Sequence, residues 1–312
     1  MEFSTFSTGI MSIKNVGLVG GTGTMGEPIL EALKKSSFNL SVINRASSKS
    51  KYPGVDVITV PDDLNVPDVA RLLEEHKIDA LVLAIKPAQV DQNKQLVDAA
   101  FQAGVKHLIP AEFGSVDSAD AKTREVYPIA DCKKVIRDYL VSLQDQERGD
   151  GKGKLNWTGL VPAHFFDWGL GNLLLCFDVP KRKAYIQDGG DIKFSVSNLP
   201  FIANAVVKVF EKPKETANKL LYIQSFRVTQ NEVLGALEKV TGDKFEIIHQ
   251  KSEERLKELR PLMLKGDPDA TEETVGIWGL VASDWEGRVA NELLGLEEEN
   301  LEETIRQVLG KQ

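Results

Sequence analysis

The chain has 312 residues, of which 42% are hydrophobic and 27% charged. This composition is typical of a globular protein, and it excludes a disordered, a collagen-like or a disulfide-scaffold chain. The formal net charge of −8 argues against a basic surface that could follow a phosphate backbone, so we expect no nucleic-acid partner.

Cysteine content and hydropathy indicate the compartment. Cys132 and Cys176 are the only two cysteines, and the sequence has no CxxC motif or Cys/His cluster. We therefore expect no metal site and a reducing environment. No run of about 18 apolar residues occurs, and the N-terminus lacks the pattern of a secretion signal. We interpret the protein as soluble and cytoplasmic, without a membrane partner, and residues 1–12 as a flexible tail.

From Asn15 onward, short apolar runs alternate with amphipathic segments of helical length. Strands separated by such segments need crossover connections, and these build a parallel sheet covered by helices on both faces. We predict a Rossmann-type, doubly wound α/β fold. The predicted strands are Val16–Val19, Leu40–Ile43, Val55–Val60, Ala80–Ile85, His107–Pro110 and Trp157–Val161, and the predicted helices are Pro28–Lys35, Pro67–His76, Gln89–Ala103 and Pro128–Leu143.

After Val161 this alternation stops, and a smaller α+β region follows. We divide the chain into a first region, residues 13–161, and a second region, residues 162–312, which we expect to share the core with the first. The second region is predicted to contain a strand and a helix in Lys193–Phe210, strands at Leu220–Ile223 and Phe245–His249, helices at Gln230–Thr241 and Glu253–Met263, a charged loop at Lys265–Thr274 and a terminal helical segment.

A glycine-rich segment, 20–26, joins the first strand to the first helix and reads Gly-Gly-Thr-Gly-Thr-Met-Gly. At this place Gly20, Gly23 and Gly26 are suited to a tight turn, close approach to a pyrophosphate and close helix packing. The N–H groups at the helix start favour phosphate. We predict that the loop binds a dinucleotide through Gly20, Thr22, Gly23, Thr24, Met25 and Gly26; the alternative is a glycine-rich turn without a ligand.

The end of the second strand indicates which dinucleotide. An acidic residue about 20 positions after the glycines holds the ribose of NAD, whereas arginine there accommodates the 2′-phosphate of NADP. Arg45 stands at that distance from Gly26, Lys51 follows, and no carboxylate occurs between Glu31 and Asp56. Because a guanidinium binds phosphate in bidentate fashion, we predict NADPH as the cofactor. The alternative is that Arg45 and Lys51 are solvated loop residues.

The catalytic pair of most short-chain dehydrogenases, a tyrosine four residues before a lysine, is absent. None of the five tyrosines has a lysine at that offset. Either a different acid donates the proton, or the fold binds the cofactor as a sensor without reacting it.

The sequence resembles the NmrA-like and isoflavone reductase-like families of atypical short-chain dehydrogenases over most of its length. The segment Pro-Ala-Glu-Phe-Gly at 110–114 is similar to the Pro-Ser-Glu-Phe-Gly of the plant reductases, with Ala111 in place of serine. The other marks of the resemblance are the glycine loop, Arg45, Gln92, Ala99–Ala100, Gly104–His107 and Asn231–Glu232.

The resemblance implies a catalytic role for Lys133, because a lysine five residues after a proline is the acid or base of those reductases, and Pro128 stands at that distance. Helix geometry places Lys133 at the border of an apolar stripe, with Lys134 and Asp138 pointing away. The stripe consists of Ile129, Cys132, Ile136, Tyr139, Leu140 and Leu143. A border lysine can also lie along the surface with a buried stem, and the geometry alone leaves that alternative open.

Aromatic residues after the fifth and sixth strands are candidates for the ligand pocket. Phe113 is expected to border the cofactor, and Phe165 and Trp168 to contact an apolar substrate; the alternative is that these aromatic residues belong to the core. His164 follows the sixth strand at the sheet edge where ligands bind, so it is a candidate substrate contact, with a satisfied loop histidine as the alternative.

Together these residues predict an NADPH-dependent reductase that transfers hydride to an aromatic or conjugated small molecule, with Lys133 as proton donor or oxyanion stabiliser. Residues 13–161 would then bind NADP(H), and residues 162–312 would bind the substrate. An NADP(H)-sensing regulatory protein without catalysis is the alternative, and the sequence leaves a homodimer open.

Overall fold

A computed structural model describes residues 12–149 and 151–310. Most of the predicted N-terminal tail, residues 1–12, lies outside the described residues, since only Ser12 is among them.

A parallel sheet of seven strands forms the centre of the molecule, in the order β11-β6-β5-β4-β1-β2-β3 when the strands are numbered along the chain. All its neighbours pair in parallel, as the alternating pattern predicted. The strands are β1 (Asn15–Val19), β2 (Asn39–Arg45), β3 (Asp56–Val60), β4 (Ala80–Leu83), β5 (His107–Ile109), β6 (Asn156–Val161) and β11 (Lys219–Tyr222).

Helices cover both faces of the sheet because each contributes one apolar stripe. On one face, α1 (Gly26–Lys34) packs beside α7 (Leu199–Glu211). On the other face lie α2 (Val66–Glu75), α3 (Val90–Ala103) and α5 (Asp131–Leu143). Gly104 ends α3 with a φ of 85°, a left-handed conformation that glycine adopts readily at a helix end.

The second half of the chain adds short strands and helices around a core of its own. One small sheet has the order β12-β10-β7 and the other β13-β9-β8. The strands are β7 (His164–Phe165), β8 (Phe177–Asp178), β9 (Lys183–Gln187), β10 (Phe194–Ser197), β12 (Phe226–Val228) and β13 (Glu246–Gln250). The remaining helices are α4 (Ala121–Val126), α6 (Phe166–Gly169), α8 (Pro213–Thr216), α9 (Gln230–Thr241), α10 (Ser252–Leu264), α11 (Pro268–Ala282), α12 (Asn291–Leu294) and α13 (Leu301–Leu309).

The second half of the chain contributes one strand and one helix to the main sheet and its cover. Strand β11 completes the main sheet beside β6, and α7 covers its face, so the second half supplies parts of the sheet layer. The division at residue 161 stays a prediction. Among the described residues, no helix is long and apolar enough to cross a membrane.

The predicted charged loop at Lys265–Thr274 is wrong, because α11 begins at Pro268. The Asp267 carboxylate accepts a hydrogen bond from the Ala270 N–H, and Pro268 occupies the first turn. An aspartate cap followed by proline is an ordinary start signal. The predicted helix Pro128–Leu143 is also divided, into a 3-10 turn at Pro128–Ala130 and α5.

Candidate active site

The glycine loop makes the tight turn that its sequence predicted. Gly20 has a φ of 87°, and a Cβ atom built on it would lie 2.5 Å from the carbonyl oxygen of Ala84. A Cβ atom on Gly26 would lie 1.9 Å from the carbonyl oxygen of Gly20. Side chains are therefore excluded at both positions, and α1 begins in direct contact with the end of β1.

Gly23 differs from the other two glycines because the protein leaves space beside it. A Cβ atom at this position would have no neighbour nearer than 3.7 Å. Thr22, Gly23 and Thr24 are exposed, whereas the Met25 side chain is in the core. The backbone N–H groups of Thr22, Thr24 and Met25 donate no hydrogen bond to the described residues. The open backbone, the free donors and the helix start fit a pyrophosphate.

Arg45 is the last residue of β2 and is exposed. Within the described part of the chain, its side chain forms no hydrogen bond or ion pair. Lys51 is also exposed, in the segment that follows. This edge of the sheet therefore presents an unpaired guanidinium, which fits the phosphate of NADP more closely than the ribose of NAD.

A carboxylate that the sequence analysis missed lies near Arg45. Asp62 accepts hydrogen bonds from the Ser47 hydroxyl at 2.6 Å and the Ser47 N–H at 2.9 Å. These bonds, helped by the Arg45 charge, hold the pKa of Asp62 below its ordinary value. Asp62 was missed because it follows the third strand, and the pattern for ribose recognition concerns the end of the second.

Lys133 lies in the first turn of α5 and is half-buried. Its Nζ atom donates a hydrogen bond of 2.5 Å to the main-chain carbonyl of Glu112, in the loop after β5. Burial lowers the pKa of Lys133 below its ordinary value, while the Glu112 carboxylate acts in the opposite direction. Lys134 points outward, as predicted, and the structure also shows it paired with Asp138.

The predicted apolar stripe of α5 is wrong at Ile129. This residue lies in the 3-10 turn before the helix, where its direction no longer follows the helical repeat, and it is 45% exposed. Arg137 is instead among the buried residues of α5, together with Ile136, Leu140 and Leu143.

A pocket of about 430 Å³ opens beside Lys133. The loop after β5 contributes one wall from Phe113 to Val116, and Phe165 and Trp168 line another part. Helix α11 closes the pocket on a further side. Its lining residues from that helix are Pro268, Thr271, Glu272, Val275 and Trp278, and the rest of the lining consists of Tyr127, Ala130 and Leu174.

The structure does not bring His164 to this pocket. Its side chain is fully buried, and its Nε2 atom lies 3.0 Å from the carbonyl oxygen of Gly276 in α11. Burial lowers the pKa of His164 to about 4. The ring therefore holds α11 against β7 through Nε2, whereas its Nδ1 atom is buried without a hydrogen-bond partner among the described residues.

The largest group of pocket residues that the sequence did not predict lies on α11. Trp278 donates a hydrogen bond of 3.0 Å from Nε1 to the hydroxyl of Thr123, which attaches α11 to α4. The signal that could have found this wall is the Asp267–Pro268 helix start. No cluster of three or more metal-ligating side chains occurs within residues 12–149 and 151–310.

Comparison with known proteins agrees with this architecture. Residues 12–146 match the sequence model of the NmrA-like family. The chain is similar to "Oxidoreductase aprR" of Aspergillus flavus, with 29% identity over 307 residues that cover 96% of this chain and 99% of that protein. It is also similar to phenylcoumaran benzylic ether reductase POP1 of Populus trichocarpa, with 27% identity over 260 residues, 78% of this chain and 80% of that protein.

Solved structures show the same fold. The structure described as AtPrR2 with NADP+ and (+)pinoresinol has a TM-score of 0.76 to this chain, at 20% identity. The likeness covers 95% of this chain and 99% of the other. The fold therefore extends over both halves of the molecule.

Proposed function

We propose that the chain, whose residues 12–146 match the model of the NmrA-like family, is an NADPH-dependent reductase of aromatic or conjugated small molecules. Its likeness to a phenylcoumaran benzylic ether reductase supports this proposal. The observation that carries the proposal is the position of Lys133, whose ammonium lines an apolar pocket beside Phe113. The glycine loop and the Phe113 loop follow parallel strands and lie at the same edge of the sheet.

The residues at this edge would hold NADPH. The glycine loop would bind the pyrophosphate through free N–H groups, with Gly23 giving the space for close approach. Arg45 would pair with the 2′-phosphate, and Lys51 would add positive charge. When bound, the cofactor supplies the hydride. Phe113, which follows β5 and lines the pocket, would border the cofactor.

The pocket would take the substrate. Its lining is largely apolar and aromatic, with Phe113, Phe165, Trp168 and Trp278 as its rings. Such a lining favours flat, conjugated molecules and excludes water from them. Tyr127 and Glu272 add polar groups that can orient a substrate. The names of the relatives support this substrate class, since they include reductases of phenylcoumaran ethers.

Lys133 would complete the chemistry. Reduction of a conjugated carbonyl or ether leaves negative charge on oxygen, and a protonated lysine can stabilise that charge or donate a proton to it. The hydrogen bond to the Glu112 carbonyl fixes the direction of the ammonium but uses only one of its three donors. The other two donors remain for the substrate oxygen. A cofactor sensor would not need a lysine placed in this way.

The two free cysteines agree with a cytoplasmic location, where thiols stay reduced. Cys176 is buried and Cys132 partly so.

The test is NADPH oxidation with a panel of substrates. Purified protein is mixed with NADPH and, in turn, conjugated aldehydes, conjugated ketones, quinones and aromatic benzylic ethers, and the loss of NADPH fluorescence is followed. We expect at least one aromatic or conjugated compound to be reduced in a protein-dependent manner. Tight NADPH binding with no turnover of any compound would favour the sensor instead.

A further inference from the structure

Glu112, Asp117 and Arg137 form a cluster of charged side chains next to Lys133, whose Nζ atom bonds to the main-chain carbonyl of Glu112. The Glu112 side chain is only 2% exposed, although it carries a carboxylate. Its Oε1 atom accepts a hydrogen bond of 3.1 Å from the Ser118 hydroxyl. Its nearest ion pair is with Arg137, at 4.0 Å, which is longer than a hydrogen bond. The Glu112 carboxylate therefore has no directly hydrogen-bonded cation.

Arg137 is itself engaged elsewhere. Its Nη2 atom donates to Asp117 at 2.9 Å and to the Ser118 hydroxyl at 3.0 Å. Asp117 also accepts a hydrogen bond of 2.7 Å from the Tyr222 hydroxyl on β11. Arg137 therefore lies between two carboxylates, Asp117 at 2.9 Å and Glu112 at 4.0 Å, and its single positive charge cannot balance both.

The charges of the cluster balance when Lys133 is protonated. Glu112 and Asp117 carry two negative charges, and Arg137 and Lys133 carry two positive ones. Loss of the Lys133 proton would leave one buried negative charge without compensation, which is unfavourable. We infer that Glu112 is the counter-charge of Lys133: its buried carboxylate keeps the ammonium protonated in an apolar pocket, while Ser118 and Arg137 hold that carboxylate in place.

Other groups that face Lys133 do not supply this charge. Burial raises the pKa of the Cys132 thiol on the same helix and of the Tyr127 phenol before it, so both stay neutral near pH 7. Glu272 faces the pocket from α11 but is exposed to solvent, which screens its charge. Glu112 remains as the buried negative group, and its carboxylate raises the pKa of Lys133 against the effect of burial.

Glu112 is therefore a positioning residue, because it acts on the reaction through Lys133. Its carbonyl directs the ammonium and its carboxylate maintains the charge. The effect of Glu112 on catalysis rests on the proposed function. The charge balance between Glu112 and Lys133 does not, and a titration can measure it without turnover.

The test is a direct titration of Lys133. Lysines are dimethylated with ¹³C-formaldehyde, the Lys133 signal is identified by its absence in Lys133→Arg, and its chemical shift is followed against pH by NMR. Glu112→Gln keeps the size of the side chain and the main-chain carbonyl but removes the charge. We expect its Lys133 midpoint to fall by about one pH unit or more, as the loss of a neighbouring opposite charge does.

A second variant should move the midpoint in the opposite direction. Arg137→Gln removes a competing positive charge, whereas the Ser118 hydroxyl still holds the Glu112 carboxylate, so the Lys133 midpoint should rise. A general loosening of the fold would shift both variants alike, and circular dichroism monitors their folding. The matched control is Asp138→Asn on the same helix, which removes an exposed charge paired with Lys134 and should leave the midpoint unchanged.

An unchanged midpoint in folded Glu112→Gln would overturn the inference. If Glu112→Gln does not fold, Arg137→Gln provides the test. An unchanged or lower Lys133 midpoint in Arg137→Gln would overturn the inference. The pH dependence of activity tests the proposed function separately. If Glu112→Gln lowers the titration midpoint of Lys133 but turnover falls at the same pH as in the native protein, Glu112 is the counter-charge of Lys133, and Lys133 is not the acid of the reaction.

Discussion

Lys133 and Glu112 are joined by a hydrogen bond from the lysine ammonium to the main-chain carbonyl of the glutamate. This bond connects α5 to the loop after β5, which lines the pocket through Phe113 and Gly114. The loop and the lysine therefore keep a fixed relation to each other. A Cβ atom on Gly114 would lie 3.1 Å from the lysine Nζ. The close approach of the Lys133 ammonium to this loop is therefore easiest with glycine at position 114.

The first prediction concerns the preference between cofactors. Native protein should bind NADPH more tightly than NADH, and Arg45→Ala should reduce that preference by the value of a charged hydrogen bond. This is roughly 1.5 to 3 kcal/mol, or about tenfold to hundredfold in affinity. Titration calorimetry with both cofactors measures it. Equal affinity of the native protein for NADH and NADPH would reject the role of Arg45.

The second prediction separates two glycines of the same loop. Gly23→Ala should fold normally, because a Cβ atom there meets nothing nearer than 3.7 Å, but it should lose most of its NADPH affinity, by about tenfold or more. Gly26→Ala should be unstable, because its Cβ atom would lie 1.9 Å from a carbonyl oxygen. Circular dichroism and calorimetry on both variants test this. Normal NADPH binding by Gly23→Ala would mean that the loop is only a turn.

The third prediction is a loss of stability in mild acid. Burial lowers the pKa of both His107 and His164 to about 4, against about 6.5 in the unfolded chain. Between these values the unfolded state binds more protons. The stabilisation is therefore complete above pH 6.5 and is lost as the pH falls toward 4. At pH 5 each histidine should cost about 2 kcal/mol of unfolding free energy.

Urea unfolding at pH 7.5 and at pH 5 checks the histidine prediction, with His164→Gln as the diagnostic variant. In His164→Gln, the difference in unfolding free energy between pH 7.5 and pH 5 should be about half of that in the native protein, whatever the absolute stability of the variant. An unfolding free energy that does not change between these pH values would contradict the prediction.

The fourth prediction concerns the contact between α11 and His164. A Cβ atom on Gly279 would lie 2.0 Å from the His164 Nε2 atom, so Gly279→Ala should lower the melting temperature. The overpacking cost of roughly 1 to 3 kcal/mol exceeds the gain in helix propensity of about 1 kcal/mol. The matched control is Gly235→Ala in α9, where a Cβ atom meets nothing within 4 Å and the same exchange should stabilise. Stabilisation by both exchanges would show that α11 does not approach His164 this closely.

The sequence predicted the first half of the fold well because its signals are local. Strands β1, β4, β5 and β6 are buried and largely apolar, and α2 and α3 have amphipathic faces and capping residues that mark their ends. The glycine loop was readable for the same reason, since its turn and helix start are adjacent in the chain. Strands of two residues such as β7 and β8 are too short to give a periodic signal.

The wall of the pocket was less predictable. Helix α11 contains Gly276 and Gly279, which lower helix propensity, and its buried residues do not form a single stripe because it packs on several sides. The direction of His164 depends on that packing and not on its position after β6. Lys133 was identified through its spacing from Pro128 and the family resemblance, whereas its relation to Glu112 and Arg137 depends on contacts distant in sequence.

Single-turnover hydride transfer in Lys133→Ala tests the catalytic role of Lys133 most directly. It is followed by stopped-flow at saturating NADPH with a substrate from the panel. Lys134→Ala, outward on the same helix, is the control. Because the ammonium acts on charge that develops only during the reaction, Lys133→Ala should slow hydride transfer by about a hundredfold or more while NADPH affinity changes little. Native protein should lose activity as the pH rises through the lowered pKa of Lys133. Unchanged hydride transfer in Lys133→Ala would contradict a role of Lys133 in the reaction.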